Sequence, residues 1–90
     1  MAVMVTLTLK TDAATYREAH AGLIAAASSA GLIFHSGREV PGGVAVVDFW
    51  PTADAFQQFM AGPAGAGLAA RGIAPPNDVQ ITPVLTADKG

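Results

Sequence analysis

Ninety residues make one domain, spanning 1–90, because a chain this short buries only about two-thirds of the surface it exposes when unfolded. The chain is 51% hydrophobic and 13% charged, with a net charge of −2 and five scattered cations, so it has no basic stripe to neutralise phosphates and is not expected to bind nucleic acid. It has no cysteine, which removes disulfides, thiolate catalysis and the usual structural zinc sites.

The first segment, Ala2 to Leu9, is rich in β-branched residues and apolar on both alternating sets, which predicts a strand. A helix follows, with two candidate starts: Thr11 and Asp12 as caps, or Thr15 with Glu18 as a capping box one turn later. Tyr16, His20, Leu23 and Ala27 recur at helical spacing on one stripe, with Ile24 and Ala30 at its edges, and Gly31 is placed to end the helix. Leu32–Val40 and Val44–Trp50 read as two strands of a hairpin around Pro41, Gly42 and Gly43.

After Pro51, Thr52 can cap a second helix with Asp54 in its first turn and Phe56, Phe59 and Met60 on its apolar stripe. Gly62, Pro63, Gly65 and Gly67 interrupt this helix as a break or flap, and a short turn resumes from Leu68 to Arg71. A last strand is expected over 79–85, with a frayed tail after Leu85. The opening apolar run lacks the basic flank and small-residue cleavage site of a signal peptide, and the Ala-rich helix carries Arg17, Glu18 and His20. The expectation is a soluble, cytoplasmic protein with no membrane partner.

The order β-α-β-β-α-β predicts an α+β, ferredoxin-like fold with both helices on one face of an antiparallel sheet. A solvated opposite face would alternate apolar with polar, yet VAVVDFW at 44–50 is apolar everywhere except Asp48, and Ala2 and Met4 lie opposite the valines of the first strand. A second copy of the chain is the economical cover, giving a homodimer.

The segments GLIFHSG at 31–37, VVDFWPTADAFQQF at 46–59 and LAARGIAPP at 68–76 resemble the dimeric α/β barrel proteins, in particular the small antibiotic-biosynthesis-monooxygenase-like group. The resemblance implies a homodimer that holds a small apolar, aromatic or polyketide-like molecule between helices and sheet. It also implies cofactor-independent monooxygenase or cyclase chemistry, with no cofactor. The haem-degrading branch is the least similar. Its helix-two Trp, its later His and its first-strand Asn fall near Phe59, Ala69 or Ala70, and Thr6, and none is kept.

Three residues are candidates for catalysis: His20, His35 and Asp48. On the helix stripe, His20 fits either a base with a pKa near neutrality or a core histidine bonded to a carbonyl or to Asp48. His35, beside Phe34, resembles the family's "FH" histidine; the other reading is a hydrogen bond across the dimer. Asp48 in its apolar strand needs a partner among His20, His35 and Arg38, and would either orient a histidine or fix the dimer register. Tyr16, Phe34, Arg38, Trp50 and Phe59 are the expected substrate contacts, with plain core as the other reading of Phe34, Trp50 and Phe59. Two histidines without a carboxylate at ligand spacing predict no metal site. A non-catalytic binding or assembly module is the alternative function.

Overall fold

The structure, a computed structural model that describes residues 1–89, opens with strand β1, Val3–Leu9, in which buried and half-buried residues alternate strictly. Val3, Val5, Leu7 and Leu9 face the helices. Helix α1, Ala13–Ser29, starts at the earlier of its two candidate caps: the Asp12 carboxylate accepts from Thr15 N at 2.7 Å, satisfying a first-turn amide that has no partner within the helix. Ala30 caps its C-terminus, and Gly31 turns the chain at φ 105°, a conformation that a side chain would oppose.

Strands β2, Phe34–Val40, and β3, Gly43–Trp50, pair in continuous antiparallel register, with Val40 opposite Gly43 across the two-residue loop Pro41–Gly42. Proline sets the first turn position, and Gly42 takes φ 84° at the second. Helix α2, Ala53–Phe59, is capped by Thr52, whose hydroxyl accepts from Ala55 N at 3.1 Å. The expected break at Gly62 and Pro63 takes the form of a wide π-type turn, Met60–Ala64, with Gly62 in non-helical geometry (φ −108°, ψ −106°), and α3, Gly65–Ala70, resumes beyond it.

Strand β4, Gln80–Pro83, is shorter than the expected 79–85. It pairs with Val3–Thr6 only; beyond that point the Asp78 carboxylate, in place of a strand, accepts from Thr8 N at 2.9 Å. The sheet order is β2-β3-β1-β4, every pair antiparallel, which is the ferredoxin-like arrangement. Val44, Val46, Asp48 and Trp50 share the helix face of β3, where Trp50 and Phe56 pack edge to face. Among the described residues no layer covers the opposite face, which presents Met4, Val47 and Phe49, with Phe34 51% exposed beside Phe49. Among the described residues no helix is long and apolar enough to cross a membrane.

Candidate active site

The hairpin register decides which way β2 points. With Val40 opposite Gly43, His35 falls opposite Asp48 on the helix face, and Phe34, Ser36 and Arg38 fall on the open face. His35 Nδ1 lies 2.6 Å from Asp48 Oδ1. A carboxylate can only accept, so Nδ1 carries the proton, and in the neutral imidazole Nε2 is left as an acceptor. Tyr16, reaching down from the first turns of α1, donates its hydroxyl to that Nε2 at 2.6 Å. The remaining oxygen of Asp48 accepts from Trp50 Nε1 at 3.3 Å, two residues along the same strand face. The chain Trp50–Asp48–His35–Tyr16 thus runs from the fully buried core to the mouth of the cleft.

His20, one helical turn after Tyr16, stacks on His35 with ring centroids 5.2 Å apart and tilts against Tyr16 at 5.7 Å. It bonds neither to a carbonyl nor to Asp48 among the described residues. Burial, and then the adjacent His35, hold the His20 pKa below the ordinary histidine value, which favours its neutral form. Burial also raises the Tyr16 phenol, with the Asp48 charge adding to it, so Tyr16 remains a protonated donor.

These groups border a cleft between α1, the sheet and the kinked second helix, walled by Leu7, Leu23, Val46, Phe59, Met60 and Leu68. Ala19, Ala27 and Ala64 present only methyl groups to it, which is why the layers leave a gap. The cavity has a volume of about 80 Å³. Asp48 is the only formally charged residue on the wall. No group of three or more His, Asp or Glu side chains among the described residues is disposed to hold a metal.

Five expected site residues, Tyr16, His20, His35, Asp48 and Phe59, border this cleft. Three do not. Phe34 and Arg38 lie on the opposite sheet face because their parity in β2 is that of Ser36, not His35. Trp50 lies wholly buried behind Asp48 and reaches the site only through that carboxylate. Leu23 reaches the cleft from the same α1 stripe as Tyr16 and His20, whereas Ala64 and Leu68, not expected at a site, are brought there by the packing of α3 and the turn before it on α1.

The antiparallel ferredoxin-like sheet with its helices on one face has counterparts among solved structures. No family model matches the sequence, and no curated protein does. A structural genomics protein, YJCS, superposes with TM-score 0.72 at 11% identity, over 93% of this chain and 99% of that one. A Chloroflexus aurantiacus J-10-fl protein described as a "putative Antibiotic biosynthesis monooxygenase" gives 0.63 at 13% identity, with full coverage of both chains. SnoaB from Streptomyces nogalater, described as a cofactor-independent oxygenase, gives 0.64 at 15% identity over 96% and 93%. The chain has the antibiotic-biosynthesis-monooxygenase-like fold. In this fold the two helices and one sheet face enclose the cleft that holds Tyr16, His20 and His35.

Proposed function

We propose that the chain is a cofactor-independent oxygenase acting on a small neutral phenol or enol held in the helix–sheet cleft. The observation that carries this reading is the Tyr16–His35–Asp48 hydrogen-bonded chain at the border of an apolar cavity. Tyr16 donates to His35, so the free lone pairs of its oxygen can accept from a substrate hydroxyl. As the Tyr16 proton passes to His35 Nε2, the substrate proton passes to the Tyr16 oxygen, leaving a substrate phenolate and an imidazolium stabilised by Asp48. Neutral His20 stacked on that imidazolium adds no like charge.

The phenolate is electron-rich enough to be oxidised by molecular oxygen. One oxygen atom enters the ring carbon, the other leaves as water, and the phenol becomes a quinone. The wall carries no cation, which disfavours carboxylates and phosphates. A second copy of the chain covers the open face at Met4, Phe34, Val47 and Phe49, forming the homodimer.

The size of the cleft favours a second reading, a non-catalytic binding module. An apolar cavity of about 150 Å³ accepts benzene, and the free space here is about 80 Å³. A ring therefore enters only if Met60 or Leu23 turns aside, or if it projects from the open side. The experiment is oxygen uptake and quinone absorbance with a panel of phenols and naphthols. Uptake that falls about 10²–10⁴-fold in Tyr16→Phe and His35→Ala supports the oxygenase. Binding without uptake selects the second reading, and the absence of both binding and uptake overturns the two together.

A further inference from the structure

Gly37 lies in the middle of β2 on the helix face, opposite Val46. A glycine inside a strand loses more conformational entropy on folding than any other residue and contributes no packing, so it calls for a physical reason. Backbone conformation is not that reason, since the glycines at positive φ are Gly31, Gly42 and Gly72. A bulge is not the reason either, because the β2–β3 register runs one to one from Phe34 to Val40. The reason is a close approach: a Cβ at 37 would lie 2.8 Å from Tyr16 Cζ and nearer still to its hydroxyl. Apart from Tyr16, no atom within 4 Å ranks among its three nearest neighbours.

We infer that Gly37 is a positioning residue, whose missing side chain is the slot through which the Tyr16 hydroxyl reaches His35 Nε2. The colliding atoms are the tip of a side chain on α1, so a methyl group at 37 displaces Tyr16 and leaves β2 in place. The substitution therefore breaks the relay while sparing the fold. The consequence for turnover rests on the oxygenase reading; the placement of Tyr16 does not.

The test is Gly37→Ala in the full chain, read without substrate. Tyr16 is the only tyrosine, so phenolate absorbance follows it alone. In the parent chain burial, with the charge of Asp48, raises that titration. In Gly37→Ala it is expected to fall toward the ordinary phenol value of about 10 as the ring moves into solvent. The ¹⁵N signal of His35 Nε2 is expected to lose its hydrogen-bond shift in the same variant. An unchanged phenol titration with an unchanged His35 signal would overturn the inference. Should Gly37→Ala fold poorly, the same change is made in a Tyr16→Ala background, where no ring occupies the slot. Stability equal to or above that of Tyr16→Ala supports the inference, and a loss as large as in the parent overturns it.

Discussion

Asp48→Asn preserves shape and volume but should reverse the proton arrangement of the site. Asp48 accepts two hydrogen bonds, from His35 Nδ1 at 2.6 Å and Trp50 Nε1 at 3.3 Å. An asparagine has one accepting oxygen and one donating nitrogen, so it cannot accept from both through separate atoms. Trp50 is fully buried and has no second tautomer, and leaving its N–H facing an NH₂ costs about 1 kcal/mol at the low end appropriate to a long bond. His35 can instead move its proton from Nδ1 to Nε2.

About 1 kcal/mol favours that arrangement by roughly fivefold. The Nε2 proton then points at Tyr16, and the lone pair needed by the relay is gone. Stability should change little. Two charge-assisted bonds become neutral ones at about 1 kcal/mol each, and removal of a buried charge offsets a comparable amount. Long-range ¹H–¹⁵N spectra of the two histidines report the tautomer directly, and urea unfolding reports the stability. A His35 that keeps its Nδ1 proton in Asp48→Asn would refute the assignment of Asp48 as its orienting acceptor.

His20 makes stability depend on pH in a defined direction. Its folded pKa lies below the ordinary 6.5, so on acidification the unfolded chain takes up the proton first. Its contribution is complete above about 6.5 and is lost as pH falls toward the folded value. The urea midpoint should therefore drop less between about pH 7.5 and about pH 5 in His20→Gln than in the parent, and equal drops would contradict this. On the open face, Phe34→Asp places a charge in the middle of the proposed dimer contact. Light scattering should show a dimer for the parent and a monomer for the variant, whereas a monomeric parent would remove the paired-sheet proposal.

The order of elements was legible because β1 and β3 are rich in β-branched residues and the stripe of α1 is unbroken. The side of β2 that faces the helices was harder to read. FHSGREV carries polar residues on both parities, so hydrophobic alternation gives no orientation, and Phe34, the residue that looks most like core, lies on the open face. What decides it is the loop length: the sequence suggested Pro41, Gly42 and Gly43 as the loop, whereas Gly43 already belongs to β3. Once Pro41–Gly42 is the whole loop, pairing Val40 with Gly43 forces His35 opposite Asp48 and sends Arg38 away from it. Trp50 was left open for a different reason, since a large aromatic at a strand end serves equally as core or pocket wall, and only the neighbouring Phe56 and Phe59 decide. Gly37 had a signal of its own, a glycine in mid-strand, but its partner comes from a helix 21 residues earlier in the chain.

The wide turn at Met60–Ala64 has a bearing on what the cleft can admit. Pro63 brings no amide to the helix and Gly62 departs from helical geometry, so one wall of the cavity is its least regular stretch of helix, whereas the opposite wall is continuous sheet. Amide protons of the Met60–Ala70 stretch should therefore exchange through local openings, well before those of β1 and β3. The capacity of the cleft is then not one fixed volume. It is an average over a breathing wall, and the largest guest is set by the free energy of opening one irregular helix.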